Sequence, residues 1–443
     1  MMNLQSYTLI KDISSEILES VLSADRSRVS EQDENKKRSV GFIDTNLGID
    51  HVIAVSKDFD TYLYIDGGGA FPSIENNCTG DGFAGIKKVD DIGGVIDKDL
   101  IVITDCYYGG LADYLRRKGR RVFGASLEWT KIENDRVYGW KRLKEMGVGV
   151  PKGTVVKGLD GLLNYIRKNQ DGKRVFFIKI SKYRGNKETG GSVLNDSEAM
   201  TAITQAGFGP YLKDLEILVQ DRCPGVELGF DAFFSGDFLR PYFYTIEVKG
   251  SGTVAKVVET CAIDDLILNK IKPSLVETDY RGNISFEFFY DGEKVYVIDV
   301  CSRNPYPCSS IQAHFIKNYS DVLWAIGSKN NIRLEIDKKY YAQVGVYTEE
   351  PDTWRVIHFP NKIRDRVGFR RVVIKDGQYY FVPGDTVVAT AVGMGDTPEE
   401  AIKDAGSIAE QIECSNTYVP ADFFDKAMGV IEEVNKMGKG MEF

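Results

Sequence analysis

Short apolar runs alternate with polar, glycine-rich stretches along most of this chain, and their spacing switches between that of strands and that of helices. After a polar stretch ending near residue 38, SVGFID (39–44), TYLYID (61–66) and LIVITD (100–105) each close in Asp and pass into small residues. An apolar stripe predicts a helix over 111–118, and RVFGA (121–125) reads as a further strand. That rhythm predicts a parallel sheet covered by helices, with ligands beyond the strand carboxyl ends, where Asp44, Asp66 and Asp105 fall. A helix over 135–146 stops at the glycines of GVGVP (147–151). The middle is rich in strands: 175–180, 217–221, 227–234, 242–248, 285–289 and 295–300. From about residue 340 more strands follow, and two helices close the chain. The first of these opens on the capping box Thr397-Pro398-Glu399-Glu400. The pattern is that of an α/β and α+β multidomain protein.

Composition narrows the chemistry. At roughly 100–200 residues per domain, 443 residues imply two to four domains. With 56 Lys+Arg against 65 Asp+Glu the net charge is −9, and no dense basic tract tracks a phosphate backbone, so nucleic acid is not the expected partner. No apolar run is long enough to cross a bilayer, and the first twenty residues lack a cleavable apolar core, which predicts a cytoplasmic protein without a membrane partner. Seven Cys form no CxxC pair, and His51, His314 and His358 stand far apart, so disulfide frameworks and zinc clusters are excluded in favour of reduced thiols. No G-x-S-x-G elbow occurs. Carboxylates, lysines and arginines remain, the equipment of phosphate handling.

Three segments carry that chemistry. In IKISKYRGNKETGGSV (178–193) a strand presents Lys179 and leads into a Gly-, Lys- and Arg-rich loop, suited to close backbone N–H groups over phosphates, without the spacing of a Walker P-loop. LVQDRCPGVELGFDAFF (218–234) is a strand, a hinge and a second strand, able to offer backbone groups to an adenine edge and Glu227 to ribose hydroxyls. NISFEFFYDGEKVYVIDVCSRNP (283–305) is a hairpin whose strands each hold one acid among apolar neighbours, Glu287 and Asp299. Such carboxylates need a cation, and two of them suit Mg²⁺ with phosphates completing the shell, Arg303 following as a phosphate partner. Register decides this. A two-residue turn at Asp291-Gly292 places Glu287 opposite Tyr296 with Asp299 facing away. A turn with Gly292 in a G1 bulge pairs Phe289 with Glu293 and brings both acids to one face, as the metal reading requires. Taken singly, each segment also fits an ordinary surface loop or hairpin.

In this order the three segments resemble the ATP-grasp superfamily. Residues 99–126 and 387–412, the latter with V-x-G-x-GDT-x-EEA, resemble glycinamide ribonucleotide synthetases, and the likeness covers most of 39–425. It implies that Lys179 contacts ATP phosphate, that Arg136 takes the place of the family's first lysine, and that Lys187, Gly190, Gly191 and Ser192 belong to the phosphate flap. Gln220, Asp221 and Arg222 become the adenine hinge, Glu227 the ribose ligand, Glu287 and Asp299 the acids for Mg²⁺ (or Mn²⁺), and Arg303 a catalytic arginine. Asp44, Asn46, Gly67, Gly68, Gly69, Asp105 and Asn304 fall where substrates bind.

The departures concern substrate. Cys301 stands where the family has a metal-side Asn, Asp299 replaces a Glu, and the family's loops at 45–51, 104–106 and 304–308 are replaced. The resemblance therefore implies an ATP-dependent carboxylate–amine ligase working through an acyl phosphate, joining a small amino acid to an amine, as a monomer or homodimer. A modified nucleotide stays open as acceptor. A true phosphoribosylamine–glycine ligase and an ATP-binding regulatory protein without catalysis also stay open. The expected parts are an extension (1–38), an N-terminal α/β domain (39–125), an ATP-grasp domain (126–335, with a lid at about 151–222) and a C-terminal domain (336–443).

Overall fold

The computed structural model describes residues 37–45, 48–66, 78–170, 174–181, 189–193, 195–205 and 209–443. Asn46, Gly67, Gly68, Gly69 and Lys187 lie outside the described residues, as does nearly all of the 1–38 extension. Strands β1 (Ser39–Asp44), β2 (Asp60–Ile65), β3 (Ile86–Lys88), β4 (Leu100–Ile103) and β5 (Val122–Phe123) form a parallel sheet in the order 3-2-1-4-5. β1 and β4 are almost wholly buried, as strands covered on both faces must be, which is why they read as unbroken apolar runs. The predicted helix runs Gly109–Arg117. A helix at Leu127–Asn134 follows that the apolar pattern did not predict.

A smaller antiparallel sheet holds β6 (Gly153–Lys157), β7 (Phe176–Ile180), β8 (Thr189–Val193) and β9 (Glu216–Asp221), in the order 6-9-7-8. It has a core of its own, in which Leu162 and Ile166 of the helix Gly158–Asn169 pack on Phe176, Ile178 and Ile217. β9 leaves this unit through Asp221–Gly225. Gly225 has φ +93°, and a Cβ there would stand 2.0 Å from the Tyr290 carbonyl oxygen, so the turn demands glycine.

Among the described residues the largest sheet has nine strands, one of which, the short Thr417–Tyr418, pairs off the main path with the strand Tyr340–Thr348. The main path runs β14 (Val295–Cys301), β13 (Arg281–Tyr290), β10 (Val226–Ser235), β11 (Tyr242–Val248), β12 (Gly252–Val258) and β15 (Tyr340–Thr348), then continues through Val387–Gly395 to Val367–Gly368. Along β10, Leu228, Phe230 and Ala232 enter the core, while Glu227, Gly229 and Asp231 alternate with them and line a cleft. β14 is an edge strand. Part of its free side is taken by the segment before β6: Val297 N–H donates to the Gly149 carbonyl at 2.8 Å, and a Cβ on Gly149 would lie 2.1 Å from the Val295 carbonyl oxygen.

The β13–β14 register matches neither arrangement considered from sequence. Asp291 N–H donates to the Lys294 carbonyl at 3.2 Å, centring the turn on Gly292-Glu293, one residue later than expected, and Phe289 pairs with Tyr296. The Asp291 carboxylate sets that position by accepting from Glu293 N–H at 2.9 Å and Lys294 N–H at 2.7 Å. Carried on unbroken, this ladder would oppose Glu287 to Ile298. A bulge between Phe288 and Glu287 leaves Ile298 outside the pairing, and Glu287 faces Asp299 directly. The bulge required for a shared face is present, but in the strand rather than at Gly292.

No helix among the described residues is long and apolar enough to cross a membrane. The parallel sheet is tied to the large one by buried polar contacts. His51 Nδ1 lies 2.5 Å from the Tyr319 hydroxyl, and Asp50 accepts from Ser310 Oγ at 2.7 Å and Phe369 N–H at 2.8 Å. Burial, with the nearby His314 charge adding to it against Asp50, lowers the His51 pKa from 6.5 to about 4. The native state thus keeps His51 neutral while the unfolded chain takes up a proton below 6.5. Stability is therefore lost as pH falls from 6.5 to about 4, by about 1.4 kcal/mol per pH unit at most. Urea unfolding between pH 4 and 7 should show this slope, and His51→Gln should lose it; an equal slope in the variant would assign the titration elsewhere.

Candidate active site

Four of the sequence-predicted residues meet in one cavity between the small sheet and the edge of the large one: Arg136, Lys179, Gln220 and Asp299. Asp135 caps the helix Arg136–Glu145 by accepting from Tyr138 N–H at 3.0 Å, which fixes Arg136 as its first residue. A cation is poorly placed at the positive end of a helix, and the ion pair it makes with Asp299 offsets that cost. Lys179, 8% exposed on β7, donates to the carbonyl of Ile298, the residue the bulge leaves outside the ladder. Gln220 lies on β9 directly opposite Phe177 of β7, which places it beside Lys179.

Beyond Asp299 the site turns acidic. Glu287 faces Asp299 across the ladder, and Lys249 stands 2.6 Å from Glu227 and 3.6 Å from Glu287. Burial pushes the Asp299 carboxyl up, but Arg136 and Lys179 outweigh it and hold Asp299 below the usual carboxylate range. Burial and the charge of Asp299 raise Glu287, with Lys249 opposing them. Glu247, on the neighbouring β11, is pushed up to about 8 by desolvation in the cleft and by Glu287. Cys301 lines this part of the cleft together with Glu227, Glu247 and Glu287.

Arg303 reaches the parallel sheet. Its Nε donates to Glu133 at 2.7 Å and lies 3.7 Å from Asp105. Glu133 is 3% exposed and also accepts from Ser302 N–H at 2.6 Å and Ser302 Oγ at 2.9 Å, so one carboxylate orients the chain leaving β14. Asp105 accepts from Thr45 Oγ1 and from Cys106 N–H at 2.7 Å, and Asp44 accepts from Thr104 Oγ1 at 2.8 Å. Asn304 N–H donates to the Thr104 carbonyl at 3.2 Å. Asp44, Asp105 and Asn304 are thereby gathered at the carboxyl ends of β1 and β4, next to Arg303.

The remaining predicted residues are dispersed. Asp221 is held through its side chain by Arg174, at 2.7 and 2.8 Å, so what it offers the hinge is backbone. Arg222 is exposed. Gly190, Gly191 and Ser192 lie in β8, with Gly190 opposite Ile178 and Ser192 opposite Phe177. Sequence reasoning passed over Glu133, Lys249 and Glu247. Glu133 sits in the unpredicted helix, too short to show a full apolar stripe. Thr245, Glu247 and Lys249 follow the two-residue period of β11 (Lys249 just past its end), a signal that was available.

The donors suit a hard divalent cation, two carboxylates facing each other across one ladder. Among the described residues no group of three or more His, Cys, Asp or Glu side chains gathers to hold a metal ion, so phosphate and water would supply the rest of its shell.

No family model matches the chain. Its structure is similar to that of phosphoribosylamine–glycine ligase from Thermotoga maritima, with TM-score 0.64 and 18% identity over 86% of this chain and 98% of that one. It is similar also to the biotin carboxylase domain of 2-oxoglutarate carboxylase from Hydrogenobacter thermophilus, solved with MgADP and bicarbonate: TM-score 0.62, 14% identity, 91% and 99% covered. N5-carboxyaminoimidazole ribonucleotide synthetase from Thermus thermophilus matches at TM-score 0.56 and 15% identity, over 84% and 98%. At these identities the likeness establishes the fold. The chain has the ATP-grasp fold shared by these proteins, as its motif order implied.

Glu133→Ala would leave the Arg303 guanidinium without its buried partner and should cost about 3 kcal/mol of unfolding free energy, read by urea denaturation. A loss below about 1 kcal/mol would mean that the pair is effectively solvated.

Proposed function

We propose that this protein is an ATP-dependent carboxylate–amine ligase. The observation that carries the reading is the meeting of Arg136, Lys179, Glu287 and Asp299 about one bulge in β14, two cations and two facing acids in a cleft beside a hinge. Solved structures of the same fold include a phosphoribosylamine–glycine ligase and a biotin carboxylase domain holding MgADP, which supports ATP as the nucleotide and Mg²⁺ as its cation. Glu287 and Asp299 would hold Mg²⁺, which supplies charge neutralisation on the phosphates when bound.

Arg136 and Lys179 exchange their present partners, Asp299 and the Ile298 carbonyl, for phosphate oxygens when ATP enters. Gln220 and the hinge backbone to Arg222 face the adenine, and Glu227 the ribose. A substrate carboxylate oxygen attacks the γ-phosphorus, the bond to ADP breaks, and an acyl phosphate forms. An amine nitrogen then attacks the acyl carbon, the C–O bond to phosphate breaks, and inorganic phosphate leaves while the amine loses a proton. Arg303, oriented by Glu133, meets the charge on the transferring group. The small sheet, with its separate core, acts as a lid that excludes water from the acyl phosphate. The carboxylate is a small amino acid, and the reaction belongs to the cytoplasm.

The test is ADP release in the presence of Mg²⁺ across a matrix of amino acids and amines, glycine with phosphoribosylamine among them. Release that requires both a carboxylate and an amine is expected, and Lys179→Ala should lower it by about 10²–10³-fold. Undiminished ADP formation in Lys179→Ala, or nucleotide binding without turnover on any pair, would sink the reading.

A further inference from the structure

At the carboxyl ends of β1 and β4 a second group of acids gathers, beside the segment from Cys301 to Pro305 whose two ends line the cleft. Asp44, Asp105 and Glu133 are 4%, 3% and 3% exposed there. The Arg303 guanidinium is engaged by Glu133 at 2.7 Å and stays 3.7 Å from Asp105. Asp105 is otherwise met by a threonine hydroxyl and a backbone N–H. These donors satisfy lone pairs but do not balance a charge removed from water.

Asn304 supplies an independent sign of a ligand. It is 2% exposed, it is docked by its own N–H on the Thr104 carbonyl beside Asp105, and neither its amide nitrogen nor its amide oxygen has a hydrogen-bond partner. A buried carboxamide with both ends unmet costs stability, and such groups in native proteins call for an explanation. A donor-rich cation between Asp105 and Asn304 provides one, because an ammonium group offers three N–H bonds and the missing positive charge together.

We propose that the amine acceptor is a cation with a second protonated nitrogen, a diamine-like substrate, whose ammonium is held by Asp105 and Asn304 while its other, unprotonated nitrogen faces the acyl carbon near Arg303. This rests on the ligase reading above and names its acceptor class. A phosphate-bearing amine would set further negative charge against the buried Asp105 carboxylate, which is what turns it away.

The test is calorimetric titration of the full chain with a non-hydrolysable ATP analogue and Mg²⁺ present. The probes are 1,4-diaminobutane, n-butylamine and O-phosphoethanolamine. The diamine should bind at least tenfold more tightly than butylamine, and phosphoethanolamine should not bind. Asp105→Asn and Asn304→Leu should each weaken the diamine at least tenfold while leaving nucleotide affinity within twofold, which also shows that both variants fold. Asn304→Leu should in addition keep or raise the unfolding midpoint, an effect that a purely structural asparagine would reverse. Preference for phosphoethanolamine, or equal diamine affinity in wild type and Asp105→Asn, overturns the assignment while the ligase reading stands. Failure of the wild type to bind the nucleotide analogue overturns both.

Discussion

One extra residue in an edge strand sets the geometry of the whole cleft. Because side chains alternate along a strand, Asp299 in an unbroken ladder would project to the face occupied by Phe286 and Phe288, both fully buried. A lone carboxylate there would cost several kcal/mol. The bulge at Ile298 turns Asp299 to the face of Glu287 and leaves the Ile298 carbonyl outside the pairing, where the Lys179 ammonium takes it up. A carboxylate pair, a cation and the approach of the small sheet to the large one thus follow from a single irregularity.

Charge is sorted along the cleft. The cations come from the small sheet and from the helix that faces it, Lys179 and Arg136, whereas the acids stand on the polar face of the large sheet and at the ends of the parallel strands. Asp299 sits at the boundary, held low because both cations reach it, and Glu287 beyond it is raised by burial and by the charge of Asp299. Two carboxylates twelve residues apart therefore have opposite shifts. Neighbouring elements produce this difference, since the two residues lie on one face of one hairpin.

The fold was legible where periodicity was long and the sheets had distinct faces. β1, β2, β4 and the strands of the hairpin stand where their apolar runs placed them, because nothing local competes with burial there. The register of β13 and β14 was not legible. It depends on Asp291 capping its own turn and on a bulge whose position no residue preference marks, Ile298 being as good a strand former as its neighbours. Glu133 was missed for a related reason: its helix is eight residues long, and its value lies in Ser302 and Arg303, far away in sequence. Lys249 could have been found by extending the alternation of β11 past its end. The cations, the acid pair and the hinge were legible as an ordered set, their mutual distances only in three dimensions.

The strand that bears Asp299 lies at the margin of its sheet, and a margin is a row of backbone groups ready to accept another chain. Such a position tolerates a bulge, since only one neighbour must accommodate it, and for the same reason it is open to unwanted partners. The bond from Val297 to Gly149 closes part of that row, and it forms because Gly149 has no side chain to hold the segments apart. The glycine before β6 thus has a protective role: it lets the molecule keep an irregular, chemically useful border without offering that border as a template for aggregation.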